Sequence, residues 1–229
     1  MNKNPRICIA IDGPAASGKS TTAKLLAKKL GYIHIDTGAM YRAITYKALQ
    51  NHIAVIDEDR LAKLARSCVL SFKHENDGQR ILLDGVDVTA EIRSPEVTNN
   101  VSAVSSYPKV REVLVELQRS LASEGGVVLE GRDIGTVVLP DAEVKIFLVA
   151  DVVERAKRRK RDMVNAGISV EDEQIQQELI ERDRKDSSRT ASPLKKADDA
   201  IIIDTTNLTI DEQVEKIYNY VQMKIAGKS

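Results

Sequence analysis

The stretch ICIAIDGPAASGKS at residues 7–20 decides the fold. Residues 7–11 are a short apolar, β-rich run that ends in Asp12-Gly13. From Gly13 to Ser20 the chain satisfies G-x-x-x-x-G-K-[ST] in full. A helical pattern begins at Lys19 and runs to Leu30, with Ala23, Leu26, Ala27 and Leu30 on one face and Gly31 placed to end it. Strand, glycine-rich loop and helix in that order form a phosphate loop. Its glycines let backbone N–H groups turn inward onto phosphate oxygens, and the helix N-terminus adds unsatisfied donors and a positive dipole end. Lys19 supplies a full charge to β- and γ-phosphates, and Ser20 offers a hydroxyl to magnesium. The donor-binding residues are therefore Gly13, Pro14, Ala15, Ala16, Ser17, Gly18, Lys19, Ser20 and Thr21.

Outward from this loop the chain alternates strand and helix. Residues 32–36 read as a second strand, and Thr37-Gly38 turns into a helix beginning near Met40. Residues 127–129, 144–149 and 200–203 are further apolar runs, and the last helix spans about 210–225. Five nearly continuous apolar strands imply burial on both faces, hence an α/β fold with a five-stranded parallel sheet and helices on both faces. Ligands in such sheets bind beyond the carboxyl ends of the strands, where Asp12, Asp36 and Glu130-Gly131-Arg132-Asp133 fall. The stretch 69–93 differs. Short strand patterns separated by Asn76-Asp77-Gly78 and Asp84-Gly85 predict a three-stranded antiparallel insertion. Tyr107-Pro108 opens another helix with Val110, Val113, Leu114, Leu117 and Leu121 as its apolar face, and Gly125-Gly126 breaks it.

Composition narrows the function. A chain of 229 residues with 42% hydrophobic and 30% charged residues suits one globular α/β domain, and with 3% aromatics and no Trp its core must be aliphatic. Lys plus Arg and Asp plus Glu both number 34, without the basic excess expected of a protein that binds long nucleic acid. Cys8 and Cys68 show no C-x-x-C pattern, and His34, His52 and His74 show no metal-ligand spacing. The N-terminus leads straight into the phosphate loop and does not read as a signal peptide; no apolar run approaches membrane-spanning length. A cytoplasmic protein, without membrane or nucleic-acid partners, is expected. The guanine-reading N-K-x-D and the D-x-x-G loop of a GTP switch are both missing.

The phosphate acceptor must be read elsewhere. Thr37, Tyr41 and Arg42 follow the second strand; adjacent helix residues point apart, so Tyr41 and Arg42 would touch different parts of a ligand. Arg132 and Asp133 form a second polar cluster at a strand end, suited to a phosphate or a planar polar group, or to a simple surface ion pair. Arg111 lies off the apolar stripe of its helix and could belong to a solvated face. Residues 155–161 hold six basic side chains, including Arg158, whose like charges should repel. Arg182, Asp186 and Arg189, spaced four and three apart, would share one helix face, with two arginines for phosphate and a carboxylate for a hydroxyl. Two Arg-lined helices joined by a turn at 165–167 have the layout of a mobile helical lid.

The motifs IDGPAASGKST at 11–21, DTGAMYRA at 36–43, GRDIGTVV at 131–138, KIFLVA at 145–150 and R-D-x-x-D-x-x-R from Arg182 to Arg189 together resemble the bacterial cytidylate kinases over essentially the whole chain. The resemblance implies transfer of the γ-phosphate of ATP to CMP or dCMP with Mg2+. It implies one P-loop kinase domain, with its core at 1–65 and 105–229, an acceptor-binding insertion at about 66–104 and a lid at about 155–190. It also implies substrate contacts at Thr37, Tyr41, Arg42, Ser102, Arg111, Arg132, Asp133, Arg182, Asp186 and Arg189, with Asp133 and Arg111 reading the base. Lys19, Arg132, Arg158 and Arg182 take the catalytic roles, and a monomer is expected. Glu130 stands where Asp is common in such proteins and Thr37 where Ser is common. The alternatives are a P-loop kinase for UMP or a sugar-like acceptor, and a nucleotide-dependent regulatory module; an acceptor screen separates them.

Overall fold

The computed structural model describes residues 6–75, 78–165, 167 and 171–227. Asn76 and Asp77 of the expected hairpin turn, Ala166 of the expected interhelical turn and the first five residues lie outside these. The chain forms two compact units, Met1–His34 with Ala122–Ser229, and Ile35–Leu121. In chain order the first unit opens with β1 (Cys8–Asp12) and α1 (Lys19–Leu30), and the cut falls within β2 (Ile33–Asp36). The second holds α2 (Thr37–Gln50), α3 (Glu58–Ser67), β3 (Leu70–Glu75), β4 (Gly78–Leu83), β5 (Val86–Asp87), a 3-10 turn (Glu91–Arg93), α4 (Pro95–Val104) and α5 (Pro108–Ala122). The chain then re-enters the first unit through β6 (Val127–Gly131), a π-helical turn (Ile134–Val138), β7 (Val144–Val149), α6 (Val152–Asn165), α7 (Asp172–Ser187), β8 (Ile201–Asp204) and α8 (Ile210–Ala226).

The five-stranded sheet has the order β2-β6-β1-β7-β8. β1 pairs in parallel with β6 on one side and β7 on the other, and β7 with β8. Central strands buried on both faces explain the unbroken apolar runs: Ile9, Ala10 and Ile11 are all fully buried. Ile9 and Ile11 pack with the α1 face made by Ala23, Leu26, Ala27 and Leu30 and with Ile217, Val221 and Ile225 of α8. α1 ends at Gly31, which takes a left-handed conformation at φ 70°. α8 starts on a capping box in which Thr209 and Glu212 satisfy each other's backbone N–H. Among the described residues no helix is long and apolar enough to cross a membrane.

In the second unit the antiparallel sheet β3-β4-β5 forms as its sequence suggests. Asp84 and Gly85 both have positive φ, 52° and 82°, as a tight hairpin turn between β4 and β5 requires. α2 starts at Thr37, three residues before the expected Met40, because Asp36 acts as N-cap and its carboxylate accepts from the Ala39 N–H at 3.0 Å. α5 buries a face rotated from the expected stripe: Val110, Arg111, Leu114, Val115 and Gln118 are buried, while Val113 and Leu117 are only half-buried. Arg111 therefore does not lie on a solvated face.

Candidate active site

The phosphate loop is backbone-constrained at two glycines. Gly13 has φ 148°, and a Cβ there would lie 2.2 Å from the Leu148 carbonyl oxygen; Gly18 has φ 93°. Gly13→Ala should destabilise the fold by about 2–4 kcal/mol, combining backbone strain with a collision against rigid main chain, and thermal unfolding reads it directly. Lys19 is 6% exposed, and its ammonium donates to the Pro14 carbonyl at 2.6 Å and to Ser17 Oγ at 3.4 Å. Burial pushes its pKa well below the ordinary lysine value, and the Arg132 and Arg182 charges push the same way against Glu130 and Asp12. A buried cation crowded by other cations is an environment that an anionic ligand would relieve.

Ser20 Oγ donates to Glu130 Oε2 at 2.7 Å, and the other carboxylate oxygen meets His34 Nε2 at 2.9 Å. Burial alone would raise the Glu130 pKa; the hydrogen bonds from His34 and Ser20 and the charges of His34 and Lys19 outweigh it and hold the carboxyl low. Glu130 thus reaches both partners, one with each carboxylate oxygen. Hard oxygen donors at Ser20, beside a carboxylate kept ionised, fit a magnesium ion held with nucleotide phosphates. His34 is buried against Glu130; among the described residues no cluster of metal ligands forms from protein side chains alone.

At the end of β1, Asp12 is 4% exposed and accepts from the backbone N–H groups of Ile134 and Gly135, both at 2.8 Å. Burial lifts its pKa to about 6, helped by the Asp133 charge and opposed by the two N–H bonds and Lys19. This carboxyl binds a proton more tightly folded than unfolded. Its contribution to stability is therefore greatest below its unfolded pKa of 3.8 and declines as pH rises to about 6. Wild type should lose up to about 3 kcal/mol relative to Asp12→Asn between pH 4 and 7, a slope superposed on any constant offset. Denaturant titrations of both proteins across that range check it; parallel curves would refute the raised pKa.

The helices α6 and α7 bring together most of the arginines expected of the lid. Asp186, 2% exposed, is gripped by Arg132 Nε at 2.9 Å and Arg189 Nη2 at 2.5 Å. Burial opposes its ionisation, but Arg132, Arg189 and Arg182 hold its pKa below the usual carboxylate range. Both oxygens of Asp186 thus orient arginines. α7 stops at Ser187, so Arg189 reaches Asp186 from beyond the helix end rather than from a shared helical face. Asp186→Ala should cost about 3 kcal/mol, because it removes the carboxylate that the buried guanidinium groups grip, and denaturant unfolding measures it.

The cation run on α6 is better neutralised than like-charge repulsion suggests. Arg155 is buried and donates to the Ala15 carbonyl of the phosphate loop at 3.1 Å and to Asp183 at 2.6 Å. Arg158 donates to Glu154 and, twice, to Thr205, whose hydroxyl donates to the Ser17 carbonyl at 3.1 Å. Lys160 pairs with Asp172, and Arg161 with Glu154. Arg155 is the residue that sequence reasoning failed to single out. Its only signal was an arginine four residues after the Asp151 that precedes the helix, within a run in which every cation looked alike.

In the second unit, the Arg111 guanidinium lies 5.3 Å from the centre of the Tyr41 ring and donates to the Ser105 carbonyl at 3.0 Å. Arg42 donates to Thr98 Oγ1 at 3.0 Å and to the Ile92 carbonyl at 3.4 Å. Ser102 lies on α4, where its carbonyl accepts from Ser105 Oγ, and Thr37 is buried in the first turn of α2. Helix α4, capped by Ser94 and started by Pro95, thus supports Arg42 through Thr98 and carries Ser102.

Comparison with known proteins agrees with this arrangement. The cytidylate kinase family model matches residues 9–223. A cytidylate kinase of Enterococcus faecalis is 55% identical over 219 residues, covering 96% of this chain and 97% of that protein. One from Bacillus cereus is 53% identical over 216 residues, covering 94% and 96%. The crystal structure of an uncharacterized protein from Eubacterium ventriosum shares the fold, with a TM-score of 0.53 at 16% identity, covering 94% of this chain and 98% of that one. A family match over nearly the whole length, on a chain whose phosphate loop and arginine clusters take these positions, identifies the chain as a member of the cytidylate kinase family.

Proposed function

We propose that the chain transfers the γ-phosphate of ATP to CMP and dCMP, giving CDP or dCDP and ADP. The observation that carries this reading is the buried Lys19 ammonium on the phosphate loop, crowded by Arg132 and Arg182, in a member of the cytidylate kinase family. An oxygen of the CMP phosphate attacks the γ-phosphorus as the β–γ bridging oxygen leaves with ADP. The second pKa of the acceptor phosphate is about 6, as for phosphoserine, so the nucleophile is already dianionic near neutral pH and no general base is required. Catalysis is then in-line positioning and charge neutralisation, assigned to Lys19, Arg132, Arg158 and Arg182. Arg158 would act from its seat on Thr205, close behind the loop.

Ser20 would hold magnesium together with the donor phosphates, and that ion supplies charge neutralisation at the β- and γ-oxygens. Acceptor contacts are assigned to Thr37, Tyr41, Arg42, Ser102 and Arg111 in the second unit and to Arg132, Asp133, Arg182, Asp186 and Arg189 in the first. The segment 66–104 serves as the acceptor-binding insertion. Residues 155–190 serve as a lid that excludes water, which otherwise competes as acceptor. The enzyme works as a cytoplasmic monomer on small molecules, without nucleic-acid partners. An acceptor screen tests the reading: ADP should form rapidly from MgATP only when CMP or dCMP is added. Equal ADP formation without acceptor, or with a sugar in place of CMP, would overturn it.

A further inference from the structure

Carbonyls of the phosphate loop are held by donors from within the first unit. Lys19 Nζ donates to that of Pro14 at 2.6 Å, Arg155 Nη1 to that of Ala15 at 3.1 Å, and Thr205 Oγ1 to that of Ser17 at 3.1 Å. The Ala15 carbonyl stands apart, because the residue after it, Ala16, takes the left-handed φ of 58° without being glycine. That conformation costs an alanine free energy that a glycine is spared. A strained residue persists where its surroundings over-determine it. Here Arg155 does so. It is 7% exposed, its Nε donates to the Ala150 carbonyl at 3.0 Å, and Asp183 Oδ2 on α7 accepts from the same Nη1 at 2.6 Å. Packing backs the guanidinium: Ala15 is buried with Ala156 of α6 and with Ile175 and Leu179 of α7, and Ala16 packs against that cluster. A trans peptide is planar, with its C=O and the following N–H pointing in opposite directions, and none of the described peptide bonds is cis. Fixing the Ala15 carbonyl on Arg155 therefore fixes the Ala16 N–H away from α6.

We propose that Arg155 is a positioning residue for the phosphate donor: it holds the Ala15–Ala16 peptide in the strained orientation that presents the Ala16 N–H to a phosphate oxygen of the nucleotide. The inference rests on the reading of residues 13–20 as the donor site. Inward-facing loop N–H groups are what such a site binds with, so one peptide turned the other way removes a donor and points a carbonyl at an anion. Asp183 neutralises the guanidinium, so Arg155 acts through the peptide rather than as a further phosphate ligand.

Without Arg155 the peptide samples other orientations, and apparent affinity falls with the fraction that stays competent. Arg155→Met is expected to raise the dissociation constant of MgADP, measured by calorimetry, roughly 10-fold, the worth of one charge-assisted hydrogen bond. The dissociation constant of CMP should stay within about two-fold of wild type. Ala16→Gly removes the left-handed penalty, so in the Arg155→Met background it should recover roughly 5-fold of the lost MgADP affinity, while changing wild type by less than about two-fold. A residue that merely packs α6 against α7 would give neither the split between ligands nor rescue by a glycine. Unchanged MgADP affinity in Arg155→Met, an equal loss for CMP, or no recovery with Ala16→Gly overturns the inference. Should Arg155→Met not fold because Asp183 has lost its partner, Asp183→Asn becomes the reference, since its amide oxygen still accepts from Arg155. Asp183→Asn must then bind MgADP like wild type, and Arg155→Met added to it must give the loss of roughly 10-fold. Wild type that binds no MgADP removes the donor-site reading and this inference with it; wild type that binds MgADP while any of the three contrary results holds removes this inference alone.

Discussion

Lys19→Ala is expected to lower turnover by roughly 10²–10³, the worth of one well-placed electrostatic donor, while leaving the dissociation constant of CMP within about two-fold of wild type. The ammonium is held at the Pro14 carbonyl and Ser17 Oγ inside the loop that would receive the donor phosphates. The loop's N–H groups and the start of α1 survive the substitution, so MgATP should still bind, more weakly. Loss concentrated in turnover follows because charge on the transferring group grows toward the transition state, where the missing cation matters most. The same burial gives an opposite expectation for stability. The folded-state pKa of Lys19 is depressed, so its charged form is disfavoured by folding at every pH below the ordinary lysine value. Lys19→Met should therefore raise the Tm of the ligand-free protein even as it removes activity, a trade between function and stability. Single-turnover rates at saturating MgATP, with calorimetry for CMP and thermal melts, separate these effects; wild-type turnover in Lys19→Ala would falsify the assigned role.

The parts of this protein that were legible in its sequence are those set by local rules. The phosphate loop imposes its glycines at fixed spacing, and β1 and β7 announce burial on both faces by unbroken apolar runs. α1 could be bounded to the residue because Lys19 belongs to the motif and Gly31 takes a left-handed cap. The start of α2 was misplaced because Thr37 and Gly38 are poor helix formers, while the Asp36 cap that outweighs them depends on a side-chain rotamer. Arg111 was read against an apolar stripe drawn through Val113 and Leu117, but the buried face also includes Arg111 and Gln118, polar residues that hydropathy counts as exposed. The links among distant residues were invisible: Ser20 with Glu130 and His34, Asp12 with the Ile134–Val138 turn, Arg155 with Ala15 and Asp183. Each joins side chains or strands far apart in the chain, and no local periodicity records such a pairing.

Asp133→Ala is expected to erase most of a CMP-over-UMP preference of roughly 100-fold in kcat/KM, about 2.7 kcal/mol. Cytosine presents an exocyclic amine donor, and a carboxylate is its natural acceptor; uracil presents a carbonyl oxygen at the same edge, so acceptor would face acceptor. Asp133 is 4% exposed and stands at the N-cap of a turn whose first N–H groups bond to Asp12. A buried carboxylate that loses a hydrogen bond bears a desolvation cost of about 1–3 kcal/mol, and more when ionised, which covers the preference expected. The alanine variant has no carboxylate to satisfy or to repel, so CMP should lose far more than UMP. The measurement is a four-way comparison of wild type and variant on both nucleotides, with MgATP saturating. Equal use of both nucleotides by wild type would remove the CMP-specific assignment and favour a kinase for both pyrimidines. Equal loss on both nucleotides in the variant would mean that Asp133 orders the site or meets the ribose, because only contact with the base edge distinguishes an amine from a carbonyl.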